Sequence, residues 1–173
     1  NLSNMLCAAT SSSLMGISDK HIANVMKTFT GVEHRLENFA IIKDVTYIND
    51  SKATNLDSVS VAIQSFNKPV VLILGGRNKG ADFRLLLPHI KSSHVRDIIS
   101  YGEAGGQIST AIGDAVRSVQ VTDLNSAVKT AQRLAAPGDV VLLSPGCASF
   151  DQFENFEERG QYFKTKVMEM MVA

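Results

Sequence analysis

A chain of 173 residues, 45% of them hydrophobic, can bury a core of its own and is too apolar to be disordered. Lysine plus arginine and aspartate plus glutamate both number 17, so no basic excess exists to hold nucleic acid or an anionic membrane. The apolar runs are too short to cross a bilayer and no signal-peptide pattern opens the chain. Cys7 and Cys147, far apart in sequence, read as reduced thiols of a cytosolic protein.

The first residue is Asn1, followed at once by a helical pattern, which suggests a piece of a longer protein. Leu2, Met5, Leu6 and Ala9 share one helical face, and Gly16 ends that helix. Ser18-Asp19 offers an N-cap for a second helix carrying Ile22, Val25 and Met26. These helices precede any strand and read as the tail of a preceding domain, with residues 29–37 as a linker.

From Asn38 onward the pattern alternates. A hairpin is predicted first: strand 39–42, a Lys43-Asp44 turn, and strand 45–48. Further strands are expected at 70–74, 95–100, 116–121 and 140–143. Helices are expected at 57–66, 83–90, 105–112, 124–134 and 154–171, the last with a core stripe of Phe156, Phe163, Val167 and Met170. Short, continuous apolar strands alternating with helices predict an α/β fold, a mostly parallel sheet with helices on both faces. Ligands of such sheets bind beyond the carboxyl ends of the strands.

Three strand exits carry the chemistry. The run Asn49-Asp50-Ser51-Lys52-Ala53-Thr54-Asn55 sets an acid, an ammonium, hydroxyls and amides between a strand and a helix. That is more binding chemistry than a turn requires, although a solvated turn capping the next helix is the plain alternative. Lysine neutralises a phosphate or acyl anion, and a neighbouring carboxylate accepts from sugar hydroxyls. The second exit, residues 75–83, has glycines that admit a ligand close to the backbone and Lys79 to face an anion. Gly75 and Gly80 have P-loop spacing, but Ala81-Asp82 stands where lysine and a hydroxyl residue belong, so the Walker motif fails. A flexible glycine turn is the alternative there. The third exit, residues 143–153, places small residues around Ser149, suited to a carboxylate before a helix N-terminus. Alternatively Ser149 or Asp151 caps that helix. A nucleophilic serine or cysteine lacks a histidine in any neighbouring loop. His21, His34, His89 and His94 show no metal-ligand spacing.

These segments resemble the Mur ligase family of ATP-dependent amide-bond-forming enzymes. The matching runs are His34-Arg35-Leu36-Glu37, residues 49–55, Gly75-Gly76 with Lys79 and Ala81-Asp82-Phe83, and Leu143-Ser144-Pro145 continuing to residues 155–160. Residues 50–55 match the branch that uses D-glutamate; sister branches have a loop with tyrosine and histidine. The resemblance implies that 1–37 is the end of a central ATP-binding domain with its linker, and 38–173 a Rossmann-like, amino-acid-binding C-terminal domain. It implies an ADP-forming acid–D-amino-acid ligase of cytoplasmic peptidoglycan synthesis, hence of cell wall biogenesis, cell shape and cell division. In family terms ATP converts the carboxylate of UDP-N-acetylmuramoyl-L-alanine to an acyl phosphate, which the amine of D-glutamate attacks. A monomer with no nucleic-acid or membrane partner is expected.

By the same resemblance Asn4 contacts the adenine, Arg35 reaches the nucleotide, and Asp50 the ribose hydroxyls. Lys52 meets the transferred phosphate and acyl group and is the catalytic residue of the set. Thr54 and Lys79 hold the side-chain carboxylate of D-glutamate; Ser149 and the backbone near Phe156 hold its α-carboxylate. The third loop departs from the family's commoner wording at Gly146 and Phe150. The P-loop and the magnesium ligands belong to a part of the protein outside these residues, so the fragment alone is expected to be inactive. A non-catalytic nucleotide-binding module is the rival reading on the same fold.

Overall fold

The computed structural model describes residues 2–170. It divides into two compact units, Asn1–Gly31 and Val32–Ala173. The first holds α1 (Leu2–Leu14) and α2 (Asp19–Thr28), joined through Gly16 at φ 84°. That backbone is one only glycine adopts readily, which is why the first helix stops there. No residue of α2 is buried, and Leu14 and Met15 are exposed. Much of the predicted linker folds into the second unit, beginning at Val32.

The second unit runs β1 (Glu37–Ile42), β2 (Val45–Asn49), α3 (Leu56–Gln64), β3 (Val70–Gly75), a 3-10 turn (Phe83–Leu86), α4 (Leu87–Lys91), β4 (Val95–Tyr101), α5 (Gly105–Ile112), a second 3-10 turn (Gly113–Ala115), β5 (Arg117–Gln120), α6 (Leu124–Leu134), β6 (Val140–Gly146) and α7 (Phe156–Glu169). The predicted 83–90 helix is thus a 3-10 turn followed by a short α-helix. Pro88 occupies the first turn of α4, where its missing N–H costs nothing. Met171, the predicted end of the last helix, lies outside the described residues. The predicted 116–121 strand shortens to β5.

The six strands lie in the order β1-β2-β6-β3-β4-β5, with only the β1–β2 pair antiparallel. Lys43 and Asp44 both take positive φ, 51° and 61°, so the hairpin closes on a two-residue turn matching the strand twist. In β3, Val70, Leu72 and Leu74 pack on one face with α3, α4 and α5, while Val71 and Ile73 pack on the other with α6 and α7. β6 divides the same way, Val140 and Leu142 against Val141 and Leu143. Both faces are covered, so the period of two that marks a half-solvated strand is absent from the sequence. At the amino ends of the strands, buried Asp97 pairs with Arg96 and Arg117, and Arg96 also reaches Asp139 at 3.1 Å. The other end of the sheet is left for the loops after β2, β3 and β6.

Leu142 has no exposed surface and sits in the central strand. Leu142→Ala is expected to cost about 2–5 kcal/mol, against less than about 0.5 kcal/mol for Ile41→Ala at the exposed edge. Urea unfolding followed by tyrosine signal checks this, since Tyr47, Tyr101 and Tyr162 all lie in the second unit.

Candidate functional site

The loops after β2, β3 and β6 leave the carboxyl edge of the sheet side by side. β6 makes this possible, because it pairs with β2 on one flank and β3 on the other. Its pairing with β3 slips between Ile73 and Gly75, and Gly75 then faces Gly146. Arg77 and Ala148 exchange backbone hydrogen bonds of 2.9 and 3.1 Å, which seam the second loop to the third. The Ala53 carbonyl accepts from Gly146 N–H at 2.9 Å and seams the first loop to the third.

Asp50 is buried where β2 ends. Its Oδ1 accepts from the Leu36 N–H at 3.1 Å and its Oδ2 from the Ser144 hydroxyl at 2.8 Å. Burial pushes its carboxyl up from 3.8 to about 6, against the opposing pull of the Ser144 hydroxyl, the Leu36 N–H and Arg35. Arg35 itself is exposed. Lys52 is exposed, with Nζ 5.2 Å from the centre of the Phe156 ring. Phe156 is half-buried rather than part of the core stripe, and the His34 ring meets it edge-on at 6.1 Å. The structure therefore brings Arg35, Asp50, Lys52 and Phe156 to one place.

Ser149 is buried, and its carbonyl accepts from Gln152 and Phe153 N–H. It does not cap α7. Asn155 does, accepting from Glu158 N–H at 2.7 Å, while the Glu158 carboxylate reaches back to Glu154 N–H. Asp151 spends Oδ2 on Glu103 N–H instead. The cap of α3 is Asn55, the last residue of the first loop, so neither Asp50 nor Thr54 serves as that cap. Thr54 is half-buried and Lys79 exposed; among the described residues no hydrogen bond joins either to Ser149. The loop carrying Lys79 is not a loose glycine turn. Arg77 makes a paired ion bridge to Glu103, and Asn78 bonds Ala81 and Gln107. Asn4 lies exposed on α1 in the first unit.

Cys147 is no nucleophile: burial pushes its thiol up to about 12, so it stays protonated at neutral pH. Glu33, His34 and Glu37 gather ligand atoms within 4.8 Å of one another. Lys164 fills that position with its ammonium, 2.6 Å from Glu33 and 3.0 Å from Glu37, which suits an ion pair and not a metal. His34 is instead a buried post. Asn49 Nδ2 meets its Nδ1 at 2.9 Å, its carbonyl accepts from Lys52 N–H, and a Cβ at Gly160 would stand 2.2 Å from that ring nitrogen. Position 160 therefore accepts glycine alone.

The sequence reading quotes Ser144, Asn49 and Arg159 within its matching runs but gives none of them a role of its own. Arg159 is the largest side chain with no exposure. Its guanidinium bonds the Ser51 hydroxyl at 3.0 Å, the Ser51 carbonyl at 2.8 Å and the Cys147 carbonyl at 3.1 Å. Its place in the matching run at 155–160 is the available signal, while its burial depends on tertiary contacts.

Residues 34–147 match the model of the Mur ligase, glutamate ligase domain. A Salinibacter ruber protein named UDP-N-acetylmuramoylalanine–D-glutamate ligase is 44% identical over 168 residues, spanning 96% of this chain and 36% of its own length. One of the same name from Lactobacillus delbrueckii subsp. bulgaricus is 46% identical over 172 residues, spanning 98% of this chain and 37% of its own. The chain thus spans little more than a third of the curated relatives it matches. Among solved structures, a UDP-N-acetylmuramate-alanine ligase from Thermotoga maritima superposes with a TM-score of 0.73 at 13% identity, over 98% of this chain and 38% of that one. A bifunctional folylpolyglutamate synthase/dihydrofolate synthase from Yersinia pestis gives 0.63 at 17% identity, over 86% and 34%; both likenesses concern the fold alone. With its family model matched over most of its length and a site at the expected edge of the sheet, the chain belongs to the Mur ligase family.

Proposed function

We propose that this chain is the amino-acid-binding part of an ATP-dependent ligase that adds D-glutamate to UDP-N-acetylmuramoyl-L-alanine. The observation that carries this is the meeting of three strand-exit loops bearing Lys52, Lys79 and Ser149 at the edge of a family-matched domain. Residues 1–37 are read as the end of the ATP-binding central domain and its linker, and 38–173 as the C-terminal domain. ATP and magnesium would be held largely by the rest of the protein, a cytoplasmic monomer acting in peptidoglycan synthesis. No helix among the described residues is long and apolar enough to cross a membrane.

The roles implied by the family resemblance fit the chemistry of these residues. Asn4 and Arg35 offer donors to the nucleotide, and Asp50 an acceptor pair for the ribose diol once ionised. Lys52, exposed and steadied over Phe156, faces the anionic phosphoryl and acyl groups as charge develops. Thr54 and Lys79 would hold the side-chain carboxylate of D-glutamate, and Ser149 with the backbone near Phe156 its α-carboxylate.

Asp50 supports this reading through its energetics. A carboxyl with a folded pKa of about 6 and an unfolded one near 3.8 binds its proton more tightly when folded. Between those values the folded state holds the proton that the unfolded state has lost, so stability falls as pH rises, by about 3 kcal/mol in all. Strongly shifted carboxyls of this kind cluster at functional sites, which supports the role given to Asp50. Asp50→Asn should therefore remove this loss: urea titrations at pH 4 and pH 7 should show the variant's excess stability growing with pH, and a constant difference would contradict it.

The ligase reading is checked by ADP release. The full-length protein should release ADP with D-glutamate and UDP-N-acetylmuramoyl-L-alanine, and this chain alone should not. In the full-length protein Lys79→Ala should raise the KM for D-glutamate at least about tenfold, the worth of a charge-assisted contact. Its KM for ATP should stay near the unaltered value; equal loss of both would count against the role given to Lys79.

A further inference from the structure

Arg159 buries a whole guanidinium with no exposure, and among the described residues no carboxylate forms an ion pair with it. Its hydrogen bonds go to a hydroxyl and two carbonyls, Ser51 Oγ, Ser51 O and Cys147 O. None of these carries charge. A buried arginine is ordinarily matched by an acid, because an unmatched charge is costly to desolvate. Among the described residues no neighbouring carboxylate stands within ion-pair distance. The Tyr101 hydroxyl is fully buried beside Arg159 with no hydrogen bond of good geometry, and burial pushes it up to about 12 against the pull of that guanidinium, so it stays neutral. Asp151, whose charge bears on Tyr101 and Cys147 together with that of Arg159, directs Oδ2 to the Glu103 N–H. It keeps a buried Oδ1 without a hydrogen-bond partner, at a distance beyond an ion pair.

The position of this charge is as telling as its isolation. Ser51 precedes Lys52, and its hydroxyl donates onward to the Phe156 carbonyl at 2.7 Å. Cys147 lies two residues before Ser149. The second loop passes so close that a Cβ on Gly76, at φ 119°, would stand 3.2 Å from Arg159 Nη1 and 2.3 Å from the Ala148 carbonyl. The first and third loops are therefore bonded to one cation, and the second passes beside it.

We propose that Arg159 sets the site's preference for an acidic amino acid, tying the first loop to the third and supplying from beneath them a positive charge that no carboxylate pairs directly. This rests on the ligase reading above. An amino acid with two carboxylates completes the charge balance on binding, whereas its amide counterpart does so only in part. Arg159 acts through the loops and through its field, as a positioning residue that does not itself touch the reacting atoms.

The test uses the full-length protein, with ADP release measured for D-glutamate and for D-glutamine. The ratio of their kcat/KM values cancels any general loss of folded enzyme. In Arg159→Gln that ratio should fall at least tenfold, and in Arg159→Lys, which keeps the charge and loses the fork, it should stay within threefold while both values drop. An unchanged ratio in Arg159→Gln overturns the proposal. Should that variant not fold, a tenfold fall of the ratio in folded Arg159→Lys overturns it equally. Failure of the unaltered protein to ligate D-glutamate would instead overturn the ligase reading, a result separate from either ratio.

Discussion

The site depends on a cation that never meets water. Moving a guanidinium into a protein interior costs several kcal/mol even after relaxation, and three hydrogen bonds from a charged donor, each worth roughly 1.5–3 kcal/mol, are what offset it. Those bonds exist only if Ser51 and Cys147 present their oxygens to the same point. The first loop and the third are thus each other's condition for stability. Separate strand exits become a single framework, and the exposed lysines stand on a base that does not yield when an anion arrives.

Around that base the chain is shaped by what it omits. Gly76 lets the second loop graze the guanidinium, and Gly160 lets His34 lie against α7. In both places a methyl group would collide with a neighbour that cannot give way. His34 in turn holds Lys52 by its backbone, and Asn49 holds His34. The run from His34 to Glu37 belongs to this framework, although in sequence it looks like part of a tether between units.

Much of this was legible before any coordinates. The apolar runs at 70–74 and 140–143, too continuous for a half-exposed sheet, marked parallel strands covered on both faces, and the sheet is so covered. The Lys43-Asp44 turn was readable because a hairpin of that length leaves only one kind of corner. Boundaries were less legible: Pro88 and Asp82 begin helical turns of different pitch inside one periodic stretch, so 83–90 read as a single helix. Capping of the last helix fell to Asn155 rather than Ser149 or Asp151, since all three residue types cap equally well and only the chain path chooses. Asp97 and Arg159 were illegible for a stronger reason. Charged residues on elements with solvent-facing neighbours read as surface, and nothing local reports that a partner from elsewhere covers them.

The order of the sheet carries a consequence for how the molecule is made. β2 and β3 never touch; β6, nearly the last element in the sequence, lies between them. During synthesis the hairpin and the β3–β4–β5 group emerge as two fragments, each with a bare apolar edge awaiting a strand still inside the ribosome. Closure joins residues about ninety positions apart, Asn49 with Leu143, so the wait is long. Until β6 arrives those edges are open to strands of other chains. The same insertion that gathers the loops into one site therefore leaves two sheet edges open until nearly the last strand is in place.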